Sequence, residues 1–365
     1  MIRFESVTKR YGETIGIEGV SFEVPDRSFY VVTGPTGAGK TTTLNLTSGV
    51  LKPEEGDIYF DGERVNDISP RKRDVAFAFQ DFILYPNMNV FDNIAFPLRS
   101  SLRNVDRDTI QAKVEQVAGA LSITSHLKKN PSQLSGGEMQ RVGIARALVR
   151  EPNAFLMDEP LSNLDAKIRE ELRAELKRLQ SEMDQTFLYA TPDKTEAFSI
   201  AEEILLINDG KIIQHGKPLE VYNDPQTLFV ATYLSQPEAN LFQGYVSDGR
   251  LELTEVESTS SIPEDLLQTL LSSNTQDVIV AVYPEDLAIE MNSSKNKEGG
   301  IELNAKVETS RFMGASQVVD ISCGELSLKS VSSLDLNLER GSEVRVTFKL
   351  DEAYFFDDGD QSRLC

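Results

Sequence analysis

The chain has 365 residues, 40% of them hydrophobic and 26% charged, which suffices for at least one full core and suggests two domains. Its net charge of −21 repels phosphate backbones and disfavours a nucleic-acid partner; residues 243–365 hold 23 acidic against 10 basic side chains, a net of −13, leaving −8 for the first 242. The longest unbroken apolar stretches, such as Val278 to Tyr283, fall far short of the ~20 residues that span a bilayer, and Arg3, Glu5, Lys9 and Arg10 interrupt any leader, so membrane association is expected to run through a partner. Cys323 and Cys365 have neither metal-ligand spacing nor a disulfide framework, which fits a reducing cytoplasm.

In chain order, Ser28 to Thr33 reads as a short apolar strand leading into a glycine loop, and Thr41 to Val50 as a helix. Asp74 to Phe79 is a strand candidate ending at Gln80. From Tyr85 to Asn130 the pattern is helical, with apolar positions at Ile110, Val114, Val117 and Leu121, and Pro131 closes that section. Asn153 to Met157 reads as a buried strand, and Leu164, Ile168, Leu172, Leu176 and Leu179 form one apolar stripe at helical spacing, a core face rather than a cofactor site. Phe187 to Thr191 is the next strand, and Glu203 to Asn208 with Lys211 to Gln214 reads as a hairpin about Asp209-Gly210. Beyond about Phe242 the texture changes to short β-like runs at 278–283, 305–309, 318–321 and 343–350, the pattern of a small β-barrel domain.

Five motifs with phosphate chemistry stand along the first part of the chain: Gly34 to Thr41, Gln80, Leu134 to Arg141, Phe155 to Pro160 and Ser162 to Asp165. In Gly34-Pro35-Thr36-Gly37-Ala38-Gly39-Lys40-Thr41 the glycines let backbone N–H groups converge on phosphate oxygens, and the following helix aims its positive end at the same anion. Lys40 is suited to the β- and γ-phosphates and the Thr41 hydroxyl to Mg²⁺. Alone, this loop says only "nucleotide". Phe155 to Asp158 is a strand ending in a carboxylate able to hold Mg²⁺ through water, and Glu159 is poised to orient or deprotonate an attacking water. An Asp-Glu strand terminus is common by itself; its distance from the phosphate loop and the trailing Ser162-Asn163-Leu164-Asp165 favour function here. Leu134-Ser135-Gly136-Gly137-Glu138 opens a helix whose N–H groups and hydroxyl suit an anion, and Ser135 with Glu138 also fits an ordinary capping box. That run has the chemistry of a second phosphate site in a chain with one phosphate loop.

These residues resemble the nucleotide-binding subunits of ABC transporters over nearly the whole chain. LSGGE is similar to the family's LSGGQ signature, with Glu138 in place of glutamine. The resemblance implies an α/β fold: a P-loop NTPase with a RecA-like core plus a helical subdomain, followed by a C-terminal OB-like β-barrel domain. It implies an ATPase domain over residues 1–235, its helical subdomain about 85–150, and a TOBE-like regulatory β domain over 243–365. ATP and Mg²⁺ are the implied cofactors. Tyr11 matches the aromatic that stacks on adenine, Gly34 through Lys40, Thr41 and Thr42 the phosphate cradle, and Thr41, Gln80 and Asp158 the metal site. Lys40, Gln80 and Glu159 match the catalytic positions, and Ser135, Gly136, Gly137, Glu138 and Asp165 the groups lent across a head-to-tail pair. The run Leu84 to Ile94 looks like the segment that meets the membrane subunits, and Tyr283-Pro284-Glu285-Asp286-Leu287 is similar to a motif of the barrel in sugar importers and some polyamine and iron importers.

The implied partners are two integral membrane permease subunits, a second ATPase subunit (identical or different) and, indirectly, a periplasmic or extracellular solute-binding protein, with no nucleic acid; the implied location is the cytoplasmic face of the cell membrane. Where the family places a histidine against the γ-phosphate, this chain has Pro192, which lacks both a side-chain donor and a backbone N–H. The expectation is the ATP-binding and hydrolysing subunit of an ABC importer for a sugar or polyol whose own site is slow, either lending its signature to a different ATPase or pairing with itself while water or Asp193 compensates. His126 and His215 are expected at the surface. A mainly regulatory ATP-binding subunit stays open as an alternative; a soluble ABC ATPase acting on ribosomes or DNA would want two cassettes or a basic surface.

Overall fold

A computed structural model describes residues 1–78, 84–99, 105–162, 164–256, 258–272, 275–290, 300–333 and 338–365. Gln80 and Asn163 lie outside the described residues. The chain divides into two compact units, Met1–Glu220 and Val221–Cys365. The division falls earlier than the expected boundary at 235–243, so the helix at Leu228–Leu234 belongs to the second unit rather than to the ATPase part. Its buried Leu228 and Ala231 pack with Ile279, Ala281 and Phe356 of that unit's own strands.

The first unit begins with β1 (Ile2–Tyr11) and β2 (Thr14–Val24), followed by β3 (Phe29–Thr33) and α1 (Lys40–Ser48). β4 (Glu55–Phe60) and β5 (Glu63–Arg64) complete an antiparallel sheet in the order β2-β1-β4-β5. The sequence does not announce this sheet because the period-2 signal of β1 breaks. Ile2, Phe4 and Val7 are its buried apolar positions, and the ladder register shifts between Phe4 and Val7, where Ser6 adopts φ +48°.

β6 (Val75–Ala78) precedes the helical section, made of α2 (Val90–Ala95), α3 (Arg107–Ala120) and α4 (Gly136–Leu148), which pack on one another. Then come β7 (Ala154–Asp158), α5 (Ala166–Met183), β8 (Thr186–Thr191), α6 (Lys194–Ile200), β9 (Glu203–Asn208) and β10 (Lys211–Gly216). The second sheet runs β10-β9-β3-β8-β7-β6; its strands β9, β3, β8, β7 and β6 are parallel, and β10 returns antiparallel in the expected hairpin. Strands buried on both faces need continuous apolar runs, and all five residues of β3 and all six of β8 are buried. Of the apolar stripe on α5, Leu172, Leu176 and Leu179 are buried. Open α/β sheets put their ligand sites beyond the carboxyl ends of the parallel strands, and here the ends of β3, β7 and β8 lead directly into Gly34, Glu159 and Pro192.

In the second unit, α7 (Pro218–Asn223, which starts in the first unit), α8 (Leu228–Leu234) and α9 (Glu264–Ser272) accompany β-strands. One sheet consists of β11 (Asn240–Ser247), β12 (Arg250–Leu253), β13 (Ser258–Ser261), β14 (Asp277–Val282) and the late strand Tyr354–Asp357. The other has β15 (Ala288–Glu290), β16 (Gly300–Phe312), β17 (Gln317–Cys323), β18 (Leu326–Ser332) and β19 (Glu343–Lys349). Both are antiparallel and share one core that includes Phe242, Val280, Ile321, Val346 and Phe355. The β-rich C-terminal domain is therefore built, among the described residues, as two five-stranded ladders. No helix among them is long and apolar enough to cross a membrane.

Phe187 on β8 is fully buried, with its ring 5.2 Å from Phe29 and 4.9 Å from Phe155. Phe187→Ala should cost about 3–5 kcal/mol by opening a cavity in the middle of the parallel sheet. Calorimetry of the full chain should show the transition of the first unit displaced to lower temperature; an unmoved transition would contradict this packing.

Candidate functional site

The phosphate loop is bent back on the strand it leaves. Gly34 (φ +150°) lies so near β9 that a Cβ there would meet the Ile207 carbonyl oxygen at 2.0 Å, and at Gly39 (φ +114°) a Cβ would meet the Gly16 carbonyl at 2.5 Å. Only glycine fits both positions. The β9–β10 turn braces the loop from the other side, Gly210 N–H donating to the Ala38 carbonyl at 3.0 Å. At the opposite end of α1, the buried Arg73 donates to the Leu46 and Thr47 carbonyls at 2.7 and 2.9 Å, satisfying acceptors that a helix end leaves open.

Lys40 is 4% exposed, and its ammonium donates to the Gly34 and Pro35 carbonyls at 2.9 and 2.8 Å. Burial lowers its pKa, while Glu159 and Asp158 act in the opposite sense. The Thr41 hydroxyl donates to Asp158 Oδ1 at 3.2 Å, joining the start of α1 to the end of β7. Burial raises the Asp158 pKa against the Thr41 hydrogen bond and Lys40, and burial likewise raises that of Glu159, opposed by Lys40 and reinforced by Asp158. Glu159 adopts φ +46°, a region non-glycine residues rarely occupy, and its N–H donates to the Ala190 carbonyl of β8 at 2.9 Å. Thr36 and Gly37 are exposed at the tip of the loop, Pro35 is half-buried, and Ala38 and Thr42 are buried. Tyr11, 48% exposed, brings its hydroxyl to 3.4 Å from Thr42 Oγ1, so an aromatic face borders the start of α1.

Ser135 caps α4: its Oγ accepts from Glu138 N–H at 3.3 Å, and Glu138 Oε2 accepts from Ser135 N–H at 2.7 Å, a complete capping box. Glu138 Oε1 lies 3.1 Å from His126 Nε2 and 3.9 Å from Lys129. His126 was expected as a surface residue; it is instead a half-buried neighbour of this corner, with a side chain 18% exposed and a buried Nδ1. No pattern links it to Glu138 across twelve positions, so only the fold reveals the pair. Gly136 is open, and a Cβ at Gly137 would press on Ile168 methyls at 3.2 and 3.3 Å. Asp165 caps α5, accepting from Ile168 N–H at 3.0 Å.

At the Pro192 turn the side chains on either side are engaged. Asp193 Oδ1 caps α6 by accepting from the Thr195 and Glu196 N–H groups at 2.8 and 3.2 Å, while Oδ2 accepts from Arg169 at 3.5 Å. Glu196, 2% exposed, accepts from the Tyr189 and Thr191 hydroxyls at 3.0 and 2.8 Å. Sequence reasoning passed over Arg169, whose type and position on an ordinary helix carry no local signal.

The donors around the loop fit a magnesium nucleotide. A glycine cradle that a Cβ would fill, a buried ammonium held by carbonyl oxygens, and a hydroxyl beside a carboxylate are the features such a ligand uses. Among the described residues there is no cluster of three or more His, Cys, Asp or Glu side chains that could hold a metal ion.

The architecture and the site define a P-loop nucleotide-binding protein. The family model for ABC transporters matches residues 17–162. The chain is 36% identical to the oligosaccharides import ATP-binding protein MsmX of Bacillus subtilis, covering all of this chain and 99% of the relative. It is 38% identical to the trehalose/maltose import ATP-binding protein MalK of Thermococcus litoralis, over 98% and 97% of the two chains. The xylose/arabinose import ATP-binding protein XacJ of Haloferax volcanii is 37% identical, over 98% of this chain and 93% of that one. Among solved structures, a dimeric ATP-binding cassette bound to ADP and phosphate in a post-hydrolysis state matches with a TM-score of 0.54 and 30% identity, over 60% of this chain and 99% of the other. The protein belongs to the ATP-binding subunits of ABC transporters, whose ATP hydrolysis is coupled to transport.

Because burial holds the Asp158 carboxyl above its unfolded value, its contribution to stability is present below the ordinary aspartate range and is lost as pH rises through the raised value. Asp158→Asn, neutral at every pH, should therefore raise the thermal midpoint of the nucleotide-free chain at about pH 8, and the gain should shrink towards about pH 4. A midpoint lowered equally at both pH values would contradict burial as the dominant influence.

Proposed function

We propose that the chain is the ATP-hydrolysing subunit of an importer for a sugar or oligosaccharide. The carrying observation is the convergence of Lys40, Thr41, Asp158 and Glu159 at the ends of β3 and β7, in a chain that aligns end to end with import ATP-binding proteins. In this reading it sits peripherally on the cytoplasmic face, docked on two integral membrane permease subunits and paired with a second ATPase subunit; a solute-binding protein acts at a distance. The names of the relatives favour sugars over the polyamine or iron cargoes that the barrel motif leaves open.

Lys40 would exchange the Gly34 and Pro35 carbonyls for phosphate oxygens, a low-cost swap because the ammonium is already desolvated and oriented. Thr41 and Asp158 would hold magnesium, which supplies charge neutralisation on the phosphates when bound. Glu159 would orient the attacking water and accept its proton, and a pKa raised by burial brings it closer to that task. Ser135, at the start of α4, would be presented to the nucleotide of the neighbouring subunit. Tyr11 would stack on the base.

Pro192 offers no donor, and the Asp193 carboxylate, an acceptor, is committed to the α6 cap and to Arg169. That commitment favours a slow own site over compensation by Asp193. It also supports the second reading, a largely regulatory subunit whose signature completes the site of a different ATPase.

Two substitutions test this. Lys40→Ala should abolish binding of a fluorescent ATP analogue to the purified chain. Pro192→His should raise steady-state ATPase by about 10²–10³, the usual worth of one preorganised transition-state contact. A native chain as fast as its Pro192→His variant would overturn the slow-site reading, and undiminished nucleotide binding by the Lys40→Ala variant would overturn the site itself.

A further inference from the structure

Arg169, one turn into α5, lies between two loops that leave different strands of the parallel sheet. Its Nη2 donates to the Leu164 carbonyl at 3.1 Å, immediately before Asp165. Its Nη1 donates to Asp193 at 3.5 Å, immediately after Pro192. Its buried Nε has no hydrogen-bond partner among the described residues and lies 3.9 Å from Oε1 of Glu196, whose other oxygen is held by Tyr189 and Thr191. The segment that reaches Leu164 is itself tied back to the catalytic candidate: Ser162 donates from both its N–H and its hydroxyl to the Glu159 carbonyl, at 3.3 and 2.9 Å. The Leu164 N–H donates to the Leu161 carbonyl at 3.3 Å, so the guanidinium joins Leu164, on the segment that follows Glu159, to the Pro192 turn.

A planar fork with donors fixed in direction suits this task, and a lysine has no equivalent geometry. We propose that Arg169 is the positioning residue that locks the loop between Glu159 and Asp165 to the Pro192 turn, so that turnover and engagement of a neighbouring subunit depend on it although it touches no substrate. The proposal rests on the functional reading above for what the two loops do; the lock itself does not. In a site without a donor at position 192, this side-chain link holds the turn in register with the catalytic loop.

The competing account is that Arg169 merely neutralises the buried Glu196. Removing one partner of a buried charge pair leaves the other uncompensated, so Arg169→Ala alone is ambiguous. The double variant Arg169→Ala/Glu196→Gln removes that charge while still lacking the contacts to Leu164 and Asp193.

The experiment uses the full-length chain with Arg169→Ala, Arg169→Lys and the double variant, each also combined with Pro192→His to supply measurable turnover. Hydrogen exchange of the nucleotide-free chain should be faster by about tenfold across 160–166 and 191–196 in all three variants. With Pro192→His, kcat should fall about tenfold while the KM for ATP stays within about twofold. Unchanged exchange, or full recovery of exchange and kcat in the double variant, overturns the proposal and leaves Arg169 as a counter-ion. Failure of the functional reading is distinct: the unsubstituted chain would bind no nucleotide, while the exchange measurement would still decide whether the lock exists.

Discussion

A buried ammonium met by two backbone carbonyls organises the first unit. Lys40 is almost wholly removed from water, so its charge has to be met by oxygen atoms that the fold supplies. The loop meets it with the carbonyls of Gly34 and Pro35, which requires the chain to double back immediately after β3. That reversal is possible only because Gly34 passes against the Ile207 carbonyl and Gly39 against the Gly16 carbonyl. The β9–β10 hairpin and the end of β2's leading segment are thereby parts of the phosphate site, although neither contributes a reactive side chain.

The carboxylates are arranged around the same charge. Asp158 ends a buried strand and Glu159 begins the next loop in a left-handed conformation, so consecutive residues occupy different electrostatic settings. Asp158 is tied to Thr41, whereas burial and the neighbouring Asp158 both push the Glu159 pKa upward. Two adjacent carboxylates in different settings suit the separate roles proposed for them, one holding a metal and the other accepting a proton. The Pro192 turn departs from that economy of roles. Its neighbours are spent on structure, with Asp193 capping α6 and Glu196 buried under two hydroxyls.

In the second unit, the motif at Tyr283 to Leu287 is absorbed by packing. Tyr283 is 1% exposed; its ring lies 4.6 Å from Tyr222 and 5.0 Å from Tyr354, and its hydroxyl donates to the Tyr222 carbonyl at 3.0 Å. Leu287 enters the core shared by the two sheets. Asp286 carries a pKa raised to about 6, chiefly by burial and then by Glu285 and Glu352, so the acidity of this domain is partly concentrated at one edge of the motif. A resemblance in sequence there reflects how the β domain is pinned together.

What the sequence determined by itself was whatever depends on short-range pattern. The buried strands β3, β7 and β8, the helices α1 and α5 and the β9–β10 hairpin were legible because their periods and turn residues are local, and the phosphate loop because its glycines must be adjacent to work. Three features were decided only by the tertiary structure. The N-terminal antiparallel sheet was hidden because the bulge at Ser6 shifts the inward phase of β1. The division at Glu220/Val221 depends on which core α8 joins, and nothing in its own seven residues states that. The pairing of His126 with Glu138 and the links from Arg169 to Leu164 and Asp193 come from chain segments that meet only after folding. A motif records which groups a site needs, whereas the hydrogen bonds that hold those groups in place are drawn from whatever the packed helices bring near.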